Sequence, residues 1–135
     1  MALGWSIFRI SLKLSTMKNL LIVGLGGMLG TMLRYIVTLC FGSTNQPIAI
    51  MGINVLGSFV IGMVFAISKN QAWMGNEWKL FLATGICGGF TTFSTFSYDN
   101  MQMLQSGKYL MFLLYASGSV ALGGLAVWLG FKLFS

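Results

Sequence analysis

The fold of this 135-residue chain depends most on one stretch, Gly88-Gly89-Phe90-Thr91-Thr92-Phe93-Ser94-Thr95-Phe96-Ser97. It lies in the third of four long apolar stretches, and in it two glycines precede hydroxyl side chains interleaved with phenylalanines. Glycine weakens a helix, and polar side chains inside a membrane are tolerated mainly where protein or water receives them. The run therefore predicts a third helix that is broken near its centre and carries the functional site.

The composition predicts an integral membrane protein. Hydrophobic residues make up 56% of the chain, charged residues only 7%, and the mean hydropathy is +0.83. A soluble domain of this size has too much surface in water to hide so many apolar side chains. Because the loops between the apolar stretches are short, we expect one all-α domain of four antiparallel transmembrane helices, at residues 20–40, 48–68, 80–103 and 109–131.

The same composition argues against several classes of function. The net charge is +6, but the basic residues flank the apolar stretches as helix anchors do, so we expect no nucleic-acid binding. Histidine is absent, and both cysteines, Cys40 and Cys87, lie in apolar stretches. We therefore expect no disulfide framework, no zinc site, and no enzyme of the Ser-His-Asp or metal-hydrolase kind.

Residues 1–16 differ from the rest of the chain. They carry Arg9 and Lys13 among apolar residues, and they lack the small-residue cleavage site of a signal peptide. They form either an amphipathic helix on the membrane surface or an extension that precedes the functional start at Met17. The transmembrane domain is then residues 17–135.

Positive charge gives a modest indication of orientation. With four spans, both termini and six of the eight basic residues fall on one side, which the positive-inside rule places in the cytoplasm. Without residues 1–16 the count is four against two, a bias small enough for insertion in both orientations.

Glycines and isolated polar residues mark the first two spans. Gly26 and Gly30 share one helix face, at the spacing that lets membrane helices pack closely. Arg34 is either an anchor at the membrane interface or part of an electropositive vestibule that concentrates anions. Asn54, in the middle of the second span, either bridges two helices or offers N–H donors to an anion.

The run in the third span combines a helix break with aromatic rings and hydroxyls. A break frees backbone carbonyls, which can hold a small cation. Phe93 and Phe96 are three residues apart and therefore share one face of the helix. The two rings either pack against a neighbouring helix or turn their positive edges toward a partly dehydrated anion. Thr95 adds a hydroxyl beside them. Tyr115 and Ser119 are four residues apart in the fourth span and so lie on one helix face. Their hydroxyls either form a second row of polar groups along an ion path or make hydrogen bonds between helices.

Three motifs in these spans resemble the Fluc, or CrcB-type, small fluoride channels. They are G-x-G-G-x-x-G-x-x-x-R-Y at residues 24–35, N-x-x-G-S-F at residues 54–59 and G-G-F-T-T-F-S-T-F-S at residues 88–97. The resemblance covers all four spans. It implies a passive channel in the inner (plasma) membrane that exports fluoride from the cytoplasm and relieves fluoride toxicity. It also implies a dual-topology homodimer, in which two antiparallel subunits form two pores.

The resemblance assigns roles by position. The family's fluoride-facing pore residues have these counterparts here: Asn54, Phe93, Thr95, Phe96, Tyr115 and Ser119. Phe93 and Phe96 match the phenylalanines that face fluoride. The backbone carbonyls of Gly88 and Thr91 match the ligands of a structural sodium ion (Na+) at the dimer interface.

Two features depart from the family pattern. Asp99 stands where most members have a glutamate, which leaves its role open. The charge bias, with residues 1–16 counted, is larger than a dual-topology protein carries. A heterodimer with an oppositely oriented partner chain is therefore an alternative to the homodimer.

Two other classes of function are alternatives to a fluoride channel. A small four-helix multidrug exporter is also a dual-topology dimer, but it exchanges protons through a carboxylate in its first span, and the first span here has none. A membrane assembly protein that transports nothing is the third class. The chain has no histidine and no acid in the middle of a span to couple protons to transport, which favours a channel over a pump.

Overall fold

The computed structural model describes the backbone of residues 2–135 and the side chains of residues 13–135. Within these limits the chain is all-helical. Four helical segments are long and apolar enough to cross a membrane: Lys13–Phe41, Ser43–Asn70, Asn76–Gln105 and Tyr109–Phe134. The predicted all-α membrane protein with four spans is thereby confirmed. The predicted extension at residues 1–16 falls mostly on side chains outside this description, and its boundary stays a prediction.

The first two helices meet at a tight polar turn. α1 (Ala2–Phe41) ends where Gly42 takes a φ of 68°, a backbone conformation that glycine adopts without steric cost. A 3-10 turn at Ser43–Asn45 follows, and α2 (Gln46–Asn70) has Pro47 in its first turn, where a missing N–H costs no hydrogen bond.

The third span consists of several helical segments. α3 (Asn76–Lys79) leads into a π-helical segment (Leu80–Cys87) and then α4 (Gly88–Phe90), and α5 (Phe93–Gln105) completes the span. Between α4 and α5 the backbone is extended: Thr91 has φ −75° and ψ 157°, and Thr92 has φ −149° and ψ 122°. A turn at Gly107, with a φ of 73°, leads to α6 (Tyr109–Phe134).

Glycines allow the helices to pack at short range. α2 packs along α6, and α1 packs on the π-helical segment and α4. A Cβ placed on Gly26 would lie 2.9 Å from the Cα of Gly85, and one on Gly30 would overlap the carbonyl oxygen of Ile86. This confirms that Gly26 and Gly30 form a close-packing face of α1.

The core of the single subunit is small. Its largest fully buried side chains are Ile50, Ile53, Val64 and Cys87. Leucines, methionines and aromatic residues are exposed along α1 and α6. Such surfaces are unfavourable in water, but they suit helices surrounded by lipid or by another membrane helix.

Candidate functional site

The extended backbone in the third span is held by the side chain of Asn54 in α2. The N–H of Thr92 donates to Asn54 Oδ1 at 2.8 Å, and Asn54 Nδ2 donates to the carbonyl oxygen of Thr92 at 3.1 Å. Asn54 therefore bridges α2 and the third span. An amide nitrogen carries two N–H groups, and the second has no acceptor within the residues that the structure describes.

Two backbone carbonyls lose their usual partners at this point. In a continuous helix the N–H of Thr92 would bond to the carbonyl of Gly88, but here it bonds to Asn54. Likewise, the N–H of Thr95 bonds to Thr92 Oγ1 at 3.3 Å rather than to the carbonyl of Thr91. The N–H and the hydroxyl of Thr91 both donate to the carbonyl of Cys87, each at 2.9 Å. The carbonyls of Gly88 and Thr91 are thus released from the helical pattern.

Three hydroxyls cluster at the N-terminus of α5. Thr92 Oγ1 lies 3.2 Å from Ser94 Oγ and 3.1 Å from Thr95 Oγ1. By accepting the N–H of Thr95 it caps α5, because the first N–H groups of a helix lack partners within the helix. Thr92 is only 6% exposed, so the cluster places fixed polar groups inside a membrane-spanning segment.

Three aromatic rings form a row beside the hydroxyls. The ring centroids of Phe93 and Phe96 are 5.8 Å apart, and those of Phe96 and Tyr115 are 5.2 Å apart, with 42° between the ring planes in both pairs. These distances are typical of interacting aromatic pairs. Phe93 is 78% exposed and Tyr115 is buried, so the row runs from the surface of the subunit to its interior.

Two cavities lie beside the polar run of the third span. One, of about 230 Å³, is lined by Asn54, Ser58, Ile61, Thr91, Thr92 and Phe93. The other, of about 270 Å³, is lined by Thr31, Arg34, Tyr35, Thr38, Gln46, Ile50 and Thr95. The structure thus brings Asn54 together with Phe93, and Arg34 together with Thr95.

Ser119 lies apart from these contacts. It is one turn beyond Tyr115 on α6, and its hydroxyl is buried without a hydrogen-bond partner in the described part of the chain. It lines neither of the two cavities. Within the described residues the Ser119 hydroxyl thus bonds to none of the other candidate residues, and its link to them is its place one turn after Tyr115 on α6.

Gln46 and Asp99 form a contact that the sequence analysis did not predict. Asp99 is 5% exposed, and its two oxygens accept hydrogen bonds from Gln46 Nε2 at 3.0 Å and from the hydroxyl of Tyr115 at 3.3 Å. Asp99 is the only acidic residue within the four predicted apolar stretches, and a buried carboxylate needs donors. This need for donors was the one feature of the sequence that could have indicated a polar partner for Asp99.

The sequence matches the family described as CrcB-like protein, Camphor Resistance (CrcB), over residues 21–131. A protein of Leptospira interrogans named "Fluoride-specific ion channel FluC" is 47% identical over 109 residues, which are 78% of this chain and 86% of that protein. A protein of Phocaeicola vulgatus with the same name is 44% identical, over 84% of this chain and 96% of that protein. Another of the same name, from Chlorobaculum tepidum, is 45% identical, over 82% of this chain and 88% of that protein. The matched region contains every candidate residue described above, from Arg34 to Ser119. The chain belongs to the CrcB family.

Proposed function

We propose that this protein is a passive, fluoride-selective ion channel that exports fluoride from the cytoplasm and so relieves fluoride toxicity. Its relatives are named fluoride-specific ion channels, and they align over most of their own length. The observation that carries the proposal is the aromatic row of Phe93, Phe96 and Tyr115 beside the hydroxyls of Thr92 and Thr95, within one membrane-spanning bundle.

The chemistry of these groups suits a small, strongly hydrated anion. A pore must replace the water around the ion with other donors, and it must bind weakly enough to release the ion again. Ring edges, hydroxyls and the second N–H of Asn54 are neutral donors of this kind. Arg34, beside Thr95, adds the positive charge that raises the local concentration of anions.

The exposure of Phe93 supports assembly as an antiparallel, dual-topology homodimer. A ring that serves an ion path is expected to be enclosed, yet Phe93 is 78% exposed in one subunit. A second copy packed on this face would enclose it, and a two-fold axis in the membrane plane would create two equivalent paths. A heterodimer with an oppositely oriented partner chain would enclose it in the same way and is the alternative assembly.

The released carbonyls of Gly88 and Thr91 support a structural sodium ion at the dimer interface. Carbonyl oxygens are suitable ligands for a small, hard cation, and freed carbonyls inside a membrane need a partner. The hydrogen bonds of Asn54 and Thr92 remove the N–H groups that would otherwise pair with these carbonyls. The ion would supply positive charge that stabilises the extended backbone, and the same carbonyls from both subunits would hold it.

Export from the cytoplasm requires the membrane that bounds the cytoplasm, so we place this multi-pass protein in the inner (plasma) membrane.

Ion release from liposomes tests the proposed activity. The purified protein is reconstituted with internal fluoride or chloride, and release is followed after a potassium ionophore cancels the membrane potential. We expect rapid fluoride release, little chloride release, and no dependence on a pH gradient. Proton-driven uptake of organic cations would identify an exporter instead, and no transport of any kind would favour an assembly protein.

A further inference from the structure

Gln46 lines two cavities at the start of α2. It is the first residue of α2 and lines the cavity of about 270 Å³ that contains Arg34 and Thr95. It also lines a larger cavity of about 510 Å³ that contains Asp99. Its Nε2 donates to Asp99 Oδ1 at 3.0 Å. One glutamine therefore lies between the cavity of Arg34 and the cavity of Asp99, which Lys108 also lines.

The carboxylate of Asp99 is held from two helices at once. Gln46 reaches it from α2, and the hydroxyl of Tyr115 reaches its other oxygen from α6 at 3.3 Å. The ring of Tyr115 also packs against the ring of Phe96, with centroids 5.2 Å apart and the ring planes tilted by 42°. A continuous chain of contacts thus links Gln46, through Asp99 and Tyr115, to the aromatic row.

The loss of the Gln46 amide would change the position of a negative charge. Asp99 is 5% exposed, and an oxygen left without its donor in such a place is strongly unfavourable. The carboxylate would then turn toward other donors, either Lys108 in its own cavity or the guanidinium of Arg34 in the cavity that Gln46 also lines. Only the second of these brings the negative charge to the side of Thr95. A carboxylate on that side would repel an anion and cancel the charge that attracts it.

We propose that Gln46 is a positioning residue of the ion path, which keeps the carboxylate of Asp99 turned toward Tyr115 and out of the Arg34 cavity. The inference rests on the proposed channel function. An arriving anion then meets Arg34 and the hydroxyl of Thr95 without a free negative charge beside them.

A direct readout of the contact does not require transport. Asp99 is the only aspartate in the chain, so aspartate labelled with carbon-13 in its side-chain carboxyl group reports on this one site. The variant Q46M keeps the length of the side chain and removes the donor. The carboxyl resonance should move in Q46M. It should stay in place in Q102M, because Gln102 lines the same cavity but bonds to Tyr98. Equal resonances in wild type and Q46M would contradict the contact.

Fluoride release from liposomes tests the role. Q46M should slow release at least about tenfold, because a negative charge moved close to the path repels the anion by more than the ~1.4 kcal/mol that a tenfold change in rate requires. Q102M should release fluoride at the wild-type rate. D99N should conduct, because an asparagine can still accept from Gln46 and donate to Tyr115 without a charge. Adding Q46M to D99N should change the rate little, because no charge remains to be positioned.

Each other result has a distinct meaning. If the wild-type protein releases no fluoride, the proposed channel function is contradicted. The labelled carboxyl resonance would still test the contact between Gln46 and Asp99. A conducting wild type with an equally fast Q46M would overturn the inference. An inactive D99N, or an equal slowing of wild type and D99N by Q46M, would also overturn it, because the substitution would then act through structure and not through the charge.

Discussion

Asn54 and Thr92 exchange two hydrogen bonds, at 2.8 and 3.1 Å, across the contact between α2 and the third span. The side-chain amide of Asn54 supplies the same donor and acceptor that a neighbouring peptide group would supply. Two extended residues can therefore lie in a membrane-spanning segment without leaving the backbone of Thr92 unpaired. One side chain thus supports the hydroxyl cluster and the start of α5.

We expect Asn54→Leu to destabilise the protein by about 2–5 kcal/mol, because the buried N–H and carbonyl of Thr92 lose their partners together. Thermal unfolding in detergent, followed by the loss of the folded peak in size exclusion, measures the effect. The control is Ser58→Ala, which changes a residue of the same helix that lines the same cavity. Equal midpoints for N54L and S58A would show that the two hydrogen bonds contribute little.

The close contact between α1 and the third span predicts how alanine substitutions in α1 change stability. A Cβ on Gly30 would overlap the carbonyl oxygen of Ile86, whereas a Cβ on Gly24 has no atom within 4 Å. Gly30→Ala should therefore cost about 1–3 kcal/mol through overpacking. Gly24→Ala should be neutral or stabilise by up to about 1 kcal/mol through helix propensity. If G30A unfolds at or above the midpoint of G24A, the helices do not approach as closely as described.

The spans were predictable because they depend on local hydropathy. Four apolar stretches, each about as long as a bilayer crossing, were enough to identify four helices. The observed helices are longer than predicted, because each helix continues into the residues that flank its apolar stretch. The third span, predicted at residues 80–103, runs from Asn76 to Gln105. The three-residue spacing of Phe93 and Phe96 likewise predicted their shared face.

The contacts between spans were not predictable in the same way. Gln46 and Asp99 are 53 residues apart, and neither residue has a periodic pattern that indicates the other. The two interpretations of Asn54 could not be separated, because the choice depends on which backbone lies opposite its amide. The π-helical geometry of Leu80–Cys87 was also missed, since its composition suits an α-helix equally well. The roles of the candidate pore residues stay predictions that transport measurements must test.

The proposed sodium site predicts that sodium acts as a structural ion and not as a transported one. Replacement of sodium by a bulky organic cation should lower the unfolding midpoint of the proposed dimer and abolish fluoride release. Because the ion is static, the rate should not depend on the direction of a sodium gradient. Unchanged stability and release after rigorous sodium removal would contradict a site at Gly88 and Thr91.

The weak charge bias predicts that a chain starting at Met17 inserts in both orientations. A single cysteine added at the C-terminus, in a chain without Cys40 and Cys87, is labelled in cells with a reagent that does not cross membranes. About half of the shorter chains should be labelled, given their four-to-two charge count. Fewer full-length chains should be labelled, because Arg9 and Lys13 favour cytoplasmic termini.

Complete labelling from one side for both chains would contradict the dual-topology homodimer. An oppositely oriented partner chain would then be the better account of the assembly. Labelling after detergent permeabilisation is the control, because it must reach every copy in either case.

The central claim is that fluoride passes along the aromatic row, with the ring edges of Phe93 and Phe96 in contact with the ion. Phe93→Ile and Phe96→Ile keep apolar bulk but remove the ring quadrupole. The matched control is Phe59→Ile, because Phe59 pairs edge-on with Phe134, at 6.5 Å between centroids, outside the row. Size exclusion establishes that each variant keeps the assembly of the wild type.

Fluoride release from liposomes, measured with a fluoride electrode for these four proteins, tests this claim most directly. We predict rapid release by the wild type and by F59I, and release reduced to the level of protein-free liposomes for F93I and F96I. Wild-type rates in both F93I and F96I would contradict the proposed path, and a wild-type protein that releases no fluoride would contradict the proposed function itself.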